Sequence, residues 1–418
     1  MSDTVYIEVT HRDLPYSTFD ADNHMYENRD AMTKFLPPEY SGVIRYVEVE
    51  GRTKLALRDK ISNYIPNPTF NRVAVPGGSG MDITKGGGGF GEPTKSLHGR
   101  GKLVAMPGID AFFDPEPRLK LMNEMGIDRT LLWPTLASVL EERLGDDPDA
   151  VCAVVHALNE WMHEHWSYVY DEALYCTPII SLGVLDKALA ELEYINERGA
   201  RIFLLRVAPV PTWHGRKSFA LPEFDPFWER VQELDITVGM HSGDSGYTRY
   251  TNEWEGFGDA EMSIDRHSRQ PNATFLTLAS PKDNLVDAMA SIIGHGLATR
   301  FPKLRFMPTE FSSNWIRPFY QKLQDAYDRA PVLFDEDPIE VFNRNIYVHA
   351  FHEADPKGLI DMGIPVDHIM FGSDFPHPEG MSDPLSYSEV VADLSPEEQA
   401  WIMGGSIEKA LSVGKYAS

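Results

Sequence analysis

The sequence predicts an α/β protein built on a (β/α)8 barrel of the TIM type. Eight short apolar runs end in polar, Gly or Pro residues, and stretches with helical periodicity separate most of them. Runs such as RTLLWPT, ARIFLLRV and HIMFGSDFP are almost continuously apolar, as strands of a buried parallel sheet are. Eightfold alternation of strand and helix favours a closed barrel. An open, doubly wound sheet is the alternative, because the number of strands alone does not establish closure.

The apolar runs and helical patterns set the expected boundaries. We expect strands at residues 19–24, 129–135, 177–183, 200–207, 236–243, 304–310, 345–351 and 368–376. We expect helices at residues 115–125, 148–171, 185–197, 222–234, 284–300, 314–330, 356–362 and 396–411. Asp114, directly before the first helix, is the residue type that caps a helix N-terminus.

The whole chain, residues 1–418, is expected to form one barrel domain with two insertions. These insertions, at about 37–105 and 244–283, follow the first and fifth strands. Both would therefore emerge at the C-terminal face, where barrel enzymes build their sites and where long loops act as lids or select substrates. The glycine-rich stretch 77–93 lacks the GxxxxGK[ST] pattern of a phosphate-binding loop, so we interpret it as a loop or lid.

Composition restricts the classes of partner. The chain has 38 Lys and Arg against 63 Asp and Glu, a formal net charge of −25, which disfavours nucleic acid and anionic membranes. No apolar run is long enough to span a bilayer. The first residues lack the basic and apolar regions of a signal peptide, so a cytoplasmic protein acting on a small molecule is expected. Two cysteines cannot form a disulfide framework.

Residues of the metal-ligand type follow several predicted strands. Asp22 and His24 end the first strand, His241 ends the fifth, Glu310 the sixth and Asp374 the eighth. Side chains two apart on a strand point to the same face, so Asp22 and His24 could reach one ion. Buried ionisable groups need partners, and a divalent cation is one that would serve several strands at once. The sequence therefore predicts a metal site at the barrel mouth.

Four longer motifs resemble the amidohydrolase-related family, also called amidohydrolase 2, whose members include relatives of aminocarboxymuconate-semialdehyde decarboxylase. They are FDADNHMYE, GMHSG, GLATRFPKLRFMPTEFSSNW and FGSDFPHPEG, and the resemblance runs from about residue 19 to 410. It implies that Asp22, His24, His241 and Asp374 bind the metal, and that the protein is a dimer or higher homo-oligomer. The family's first pair is usually HxH, or ExH in some decarboxylases, whereas this chain has Asp22-x-His24. Many relatives have histidine where this chain has Glu310.

Two carboxylates and two imidazoles make a hard donor set that suits zinc, and also manganese or ferrous iron. Zn²⁺ is our first expectation for the metal and Mn²⁺ the second. The spacing of the ligands does not separate them.

The first functional hypothesis is a metal-dependent hydrolase of amide, lactone or ester-like bonds. The metal would activate water and polarise a carbonyl, and Asp374 would accept a proton and return it to the leaving group. Glu310 or His377 would assist proton transfer or orient the substrate. The second hypothesis is a non-oxidative decarboxylase of aromatic or muconate-type acids, with Asp374 or Glu310 protonating carbon. The third is a barrel that binds a ligand without turnover.

Three further residues are candidates for substrate contact. Arg206, at the end of the fourth strand, could bind a carboxylate, because guanidinium pairs with carboxylates in a bidentate manner. Trp133, at the end of the second strand, could stack on a ring, and His349 could line the pocket from the seventh. For Arg206 a structural ion pair, and for Trp133 a core position, are the competing interpretations.

Overall fold

The computed structural model describes residues 7, 9–49, 51–62, 65, 67–78, 104–256, 275, 282–350 and 355–416. Nine short strands form its centre, and the first predicted strand appears as two pieces. In chain order the central strands are Phe19–Asp20, His24–Met25, Arg129–Pro134, Leu174–Cys176, Ile202–Leu204, Thr237–His241, Phe306–Thr309, Val348–His349 and Ile369–Met370. All the ladders between them are parallel, as the sequence predicts.

The parallel ladders form separate sheets, and no single continuous sheet closes on itself. Isolated parallel bridges nevertheless join successive sheets in chain order, between Ile179 and Leu204 and between Phe306 and Ile346. A third bridge joins Asn23 to Phe375, which returns the last segment to the first. The isolated bridges thus link the sheets in chain order, while the regular ladders are interrupted.

The predicted third strand, 177–183, is displaced. The regular strand is Leu174–Cys176, three residues earlier, and it also pairs antiparallel with Val169–Tyr170. The chain beyond it still pairs, since Thr177 donates to the carbonyl of Leu132 and the amide of Leu204 donates to Pro178. Pro178 has no N–H of its own, which breaks the regular ladder at this point.

Helices cover the outside of the central strands, and most of them start and end near the predicted residues. They are Pro115–Met125, Leu140–Leu144, Pro148–Trp166, Leu185–Glu197, Asp225–Glu233, Tyr247–Trp254, Lys282–Gly294, Leu297–Arg300, Ile316–Arg329, Pro338–Asn345, Pro356–Asp361, Pro396–Ala400 and Ser406–Ala410. Asp114 holds the predicted cap position, but its side chain makes no capping hydrogen bond. It pairs instead with His165, at 3.0 Å.

Two predicted helices are divided. The expected helix 284–300 breaks at Gly296, whose φ of +71° is left-handed and ends a regular helix. The expected helix 396–411 contains a wide π-helical turn at Trp401–Gly405. Both glycines of that turn pack closely: a Cβ on Gly404 would lie 2.6 Å from the carbonyl oxygen of Ser17. The turn thus lets the C-terminal segment approach the first strand.

The described part of the first insertion forms two small antiparallel sheets. One comprises Ile44–Val49, Arg52–Leu57 and Lys60–Ser62, and the other comprises Arg72–Ala74 and Ala105–Pro107. A further hairpin, Val210–Thr212 and Gly215–Lys217, lies after the central strand Ile202–Leu204. The predicted glycine-rich lid and most of the second insertion fall outside the described residues. Among those that are described, no helix is both long and apolar enough to cross a membrane.

Candidate metal centre

Four side chains from three places in the chain meet at one end of the central strands. The Nε2 atom of His24 lies 3.4 Å from Oδ1 of Asp22 and 3.3 Å from Oδ1 of Asp374. The Nε2 atom of His241 lies 3.2 Å from the same oxygen of Asp22. All four residues are buried. The structure thus brings together the four predicted metal ligands.

The first pair reaches this position in a different way from the prediction. Asp22 and His24 do not share a regular strand, because the strand stops at Asp20 and resumes at His24. Two backbone hydrogen bonds join this interrupted stretch to the last segment. The amide of Asp374 donates to the carbonyl of Asp22 at 2.7 Å, and the amide of His24 donates to the carbonyl of Phe375 at 2.8 Å. Asp374 itself has a φ of +55°, a conformation that non-glycine residues adopt mainly where function or packing requires it.

The buried carboxyl of Asp20 joins the segment that carries Asp22 and His24 to the segment that carries Asp374. Its Oδ1 accepts hydrogen bonds from the amides of Asp22, at 3.0 Å, and Ser373, at 2.9 Å. Its Oδ2 accepts from Nδ2 of Asn23, at 3.0 Å, and from Oγ of Ser373, at 2.5 Å. The carboxyl is fully buried, and burial raises the pKa of Asp20 to about 7. Four donors on one carboxyl fix the register between the first and last segments.

Arg118 supports the same loop from the first helix. Its Nη2 donates to the carbonyl of His24 at 2.7 Å, its Nη1 donates to Oδ1 of Asn23, and its Nε donates to Ala111 at 2.6 Å. The side chain is fully buried, and burial lowers the pKa of Arg118 to about 10. Its donors are directed at backbone and amide oxygens, so this arginine orients the chain around a ligand.

Several buried polar atoms of the cluster lack a hydrogen-bond partner in the described part of the chain and are of the types that bind a metal ion. Oδ2 of Asp22, Nε2 of His24 and Oδ2 of Asp374 are buried and have no hydrogen-bond partner among the described residues. Buried polar atoms are normally satisfied, and such exceptions need an explanation. One donor atom each from Asp22, His24 and His241 lies within 4.8 Å of the others. Carboxylate oxygens and imidazole nitrogens are ligands of zinc, manganese and ferrous iron, so the residues present fit a divalent cation.

The charges in the cluster are mutually dependent. Burial acts to raise the pKa of Asp22, but the adjacent His241 and His24 outweigh it and hold that pKa well below its usual value. For His241, burial acts to lower the pKa, and the carboxylates of Asp22 and Glu310 reverse the direction. The ionised form of Asp22 is the form that a cation would bind.

A second layer of acid and base groups lies against the four ligands. Nδ1 of His377 lies 2.7 Å from Oδ1 of Asp374, and Oε2 of Glu310 lies 3.5 Å from Nδ1 of His241. Glu310, with a φ of +65°, turns out of its strand at this point. Glu379, which the sequence analysis did not single out, forms a third close group with Glu310 and Asp374. Burial and the neighbouring carboxylates raise the pKa of Glu310 well above its usual value.

A cavity of about 620 Å³ opens onto this layer. The predicted candidates His24, His241, Glu310 and His377 lie in its wall, and so does Glu379. The first insertion supplies another part of the wall, including Phe70 and Arg72. The described residues of the insertion therefore border the cavity, whose volume suits a small organic molecule.

A column of four rings connects the insertion to the metal ligands. Phe70 stacks on Tyr26 with ring centroids 4.2 Å apart and planes 7° apart. Tyr26 lies 6.0 Å from the ring of His377, and His377 lies 3.9 Å from the ring of His24. Phe70 is held with a φ of +49°. The column therefore fixes the ring plane of His377, which lies between the cavity and Asp374.

The three predicted substrate-contact residues occupy different positions. Trp133 is fully buried beneath His241, its indole nitrogen donating to Ala21 at 2.9 Å, which is a core position and not a cavity wall. His349 is buried behind the ligands, where Nδ1 accepts a 2.9 Å hydrogen bond from the amide of Glu310 and lies 3.7 Å from Oδ2 of Asp22. Burial lowers the pKa of His349 to about 4, so this histidine is neutral. Arg206 lines a smaller cavity beside His241.

The strand ends of this α/β fold gather two carboxylates and two imidazoles, the donor types of a divalent metal site. Residues 109–412 match the family model for amidohydrolases, and the chain belongs to this family. The matched range includes His241 and Asp374, whereas Asp22 and His24 precede it. No curated protein matches the chain.

Solved structures extend the similarity to the whole chain. An amidohydrolase from Mycobacterium avium subsp. paratuberculosis K-10 is 30% identical, with a TM-score of 0.84 over 96% of this chain and 100% of its own. The 2,6-dihydroxybenzoate decarboxylase from Rhizobium is 17% identical, with a TM-score of 0.54 over 72% of this chain and 89% of its own. A dihydroxybenzoic acid decarboxylase from Polaromonas sp. JS666, solved with manganese and 2-nitroresorcinol, is 16% identical, with a TM-score of 0.50 over 74% and 90%. The last two similarities concern the fold alone.

Proposed function

We propose that the protein is a metal-dependent hydrolase that cleaves an amide, lactone or ester-like bond of a small organic substrate. The observation that carries the proposal is the hydrogen bond of 2.7 Å that joins Asp374, a predicted metal ligand, to His377, which lies in the wall of the cavity. It supplies a carboxyl–imidazole pair for moving a proton at the place where a substrate would contact the metal.

Asp22, His24, His241 and Asp374 would hold the cation, with Zn²⁺ as the first candidate and Mn²⁺ or Fe²⁺ as alternatives. The unpartnered buried atoms of Asp22, His24 and Asp374 support this assignment. Manganese is present in one decarboxylase that shares the fold. When bound, a divalent cation lowers the pKa of water and polarises a carbonyl oxygen.

The protein's own groups would manage the proton. Asp374 accepts it from the attacking water, and its hydrogen bond to His377 orients the carboxylate and provides a route to the leaving group. Glu310, whose pKa is raised above its usual value by burial and the neighbouring carboxylates, lies in the wall of the cavity and would contact a substrate oxygen. The rings of His24 and Tyr26 on either side of His377 restrict the orientation of its imidazole.

A second candidate function is non-oxidative decarboxylation of an aromatic or muconate-type acid. Glu310 favours it, because its carboxyl lies in the wall of the cavity, 3.5 Å from Nδ1 of His241, where it would donate a proton to carbon as carbon dioxide leaves. The substrates named for two proteins of similar fold are dihydroxybenzoic acids. The same metal ligands would serve both reactions.

We propose further that the central strands close into one barrel domain with both insertions on the catalytic face, and that the protein forms a homodimer. The three isolated bridges, which follow chain order and return to the first strand, support closure. The placement of Phe70 and Arg72 in the wall of the cavity supports the position of the first insertion.

The test is a product assay on protein loaded with zinc or manganese. Esters, lactones and amides are screened for cleavage, and 2,6-dihydroxybenzoate is screened without oxygen for carbon dioxide. Cleavage that a chelator abolishes and zinc or manganese restores supports the hydrolase, whereas carbon dioxide release under the same control supports the decarboxylase. Asp374→Asn should abolish either activity with the fold retained, and unchanged turnover in that variant would refute the role of Asp374. His163→Ala serves as a control histidine variant remote from the cluster.

A further inference from the structure

A second, smaller cavity lies beside the metal centre, and we call it the inner recess. It has a volume of about 50 Å³, and its wall includes Pro134, Glu141, Arg206, His241, Ser242 and Asp244. Pro134, His241 and Ser242 also line the main cavity, so the two spaces adjoin at a metal ligand. The inner recess has room for about three water-sized atoms, which suits one small polar group and excludes a ring.

Arg206 presents an unused donor inside this wall. Its side chain is only 10% exposed. Its Nε donates to the carbonyl of Asp244 at 3.0 Å, and its Nη2 donates to Glu142. Its Nη1 is buried and makes no hydrogen bond within the described part of the chain. A guanidinium carries five N–H donors in a fixed fork, so the two partners orient the group and leave one edge for a ligand.

The acidic residues around Arg206 are engaged elsewhere. Glu141 accepts a hydrogen bond of 2.7 Å from Ser181. Asp244 pairs with Arg143 and accepts from the amide of Gly246 at 3.1 Å. These two carboxyls therefore have donors of their own besides the charge of Arg206.

The remaining acidic neighbour, Glu142, accepts hydrogen bonds from two arginines. The carboxylate of Glu142 is shared, since Nη1 of Arg216 also donates to its Oε2 at 2.8 Å. The three carboxyls Glu141, Glu142 and Asp244 equal in number the guanidinium groups of Arg143, Arg206 and Arg216 around the recess. The feature that favours an oxygen ligand is therefore the buried, unpaired N–H of Arg206, because a guanidinium N–H bonds a carboxylate more strongly than a neutral acceptor.

We propose that the inner recess binds a carboxylate group of the substrate, with Nη1 of Arg206 as the donor. The reacting part of the substrate would then lie in the main cavity, on the other side of the shared residues His241 and Ser242. The substrate class is accordingly a small organic acid whose carboxylate is separate from the bond that reacts. This inference rests on the proposed function for the meaning of "substrate", but the binding of an anion to Arg206 is measurable without turnover.

The experiment measures binding of benzoate and its neutral isostere benzamide to the metal-loaded protein by isothermal titration calorimetry. The variant is Arg206→Met, and Arg216→Met is the matched control, because Arg216 binds the same Glu142 but lines neither cavity. Arg206→Met should weaken benzoate by about tenfold or more, as expected for loss of a charged hydrogen bond. Benzamide should change less than about threefold, and Arg216→Met should change neither ligand more than about twofold.

Equal benzoate affinity in the parent and in Arg206→Met would overturn the inference, and so would a parent that does not bind benzoate. Equal losses of benzoate and benzamide in Arg206→Met, or an equal loss of benzoate in Arg216→Met, would also overturn it, because Arg206 would then act only through the structure of the rim. Thermal unfolding of each variant accompanies the titrations. Turnover without a metal would refute the proposed function while leaving the benzoate result intact, so the two failures are distinguishable.

Discussion

Replacement of Asp20 by alanine removes one buried acceptor that joins the two ligand-bearing segments. Three donors would lose their partner: the amides of Asp22 and Ser373 and the side-chain amide of Asn23. The hydroxyl of Ser373 has a second acceptor, the carbonyl of Asp22, at 3.3 Å. Each buried donor left without a partner costs about 1–3 kcal/mol.

Burial of the Asp20 carboxyl, which raises its pKa to about 7, is itself unfavourable. Removing the carboxyl relieves this cost, which offsets part of the cost of the three unpaired donors. We therefore expect Asp20→Ala to lower the free energy of unfolding by about 3 kcal/mol. Asp20→Asn keeps an oxygen for the two backbone amides and places a donor opposite Nδ2 of Asn23 and Oγ of Ser373. The hydroxyl of Ser373 can turn to the carbonyl of Asp22, so only the amide of Asn23 loses its acceptor. Its cost should be about 1 kcal/mol.

Urea unfolding of metal-free protein measures both variants, and zinc titration measures their affinity for the metal. Zinc should bind about 10–100-fold more weakly to Asp20→Ala, because residues that orient metal ligands have effects of this size. Asp186→Ala, on the helix Leu185–Glu197, is the control and should change stability by less than about 0.5 kcal/mol. Equal costs for the alanine and asparagine variants, or an alanine cost below about 1 kcal/mol, would refute this reasoning.

Variants at three further residues test other parts of the structure. Burial raises the pKa of Glu27 from 4.5 to about 7, so the folded chain holds a proton that the unfolded chain releases, and stability is lost as pH rises through that window. In Glu27→Gln the free energy of unfolding should fall by about 3 kcal/mol less than in the parent over this pH range. Urea unfolding between pH 4.5 and 7 measures it, and the same pH dependence of that free energy in parent and variant would contradict the prediction. Arg118→Met should cost about 3 kcal/mol and weaken zinc binding, and Arg118→Lys should not restore either, because lysine lacks the fork that reaches three oxygens; a lysine variant equal to the parent in calorimetry would exclude this explanation. Phe70→Ala should cost about 3 kcal/mol and raise KM for any cleaved substrate, with Phe70→Leu intermediate; an unchanged KM would separate the ring column from substrate binding.

Some of the residues that meet at the candidate metal centre could be predicted, because they depend on local pattern. An apolar run places His241 at the end of a strand, whereas Asp374 lies beyond the strand Ile369–Met370 and does not end it as predicted. The helices Pro115–Met125 and Leu185–Glu197 begin and end at the predicted residues. Asp22 and His24 also meet, although the predicted reason, alternation along one strand, is wrong: the strand is interrupted between Asp20 and His24.

The rest of the site depends on contacts that local pattern does not encode. Glu379 follows a predicted strand by several residues and reaches Asp374 through the turn after it. Arg118 and Phe70 act across long sequence separations, on Asn23 and Tyr26 respectively. One signal was available for Arg118, since it falls on the apolar face of a helix where a charged residue needs a specific partner.

Metal content measured by inductively coupled plasma mass spectrometry tests the central claim most directly. The parent should contain about one equivalent of zinc or manganese, and the double variant His24→Ala, His241→Ala should lose it while remaining folded. The double variant His163→Ala, His165→Ala, which removes two histidines of the helix Pro148–Trp166, should keep it. A parent without metal after growth in supplemented medium, or a His24→Ala, His241→Ala variant that retains the parent's metal, would contradict the account.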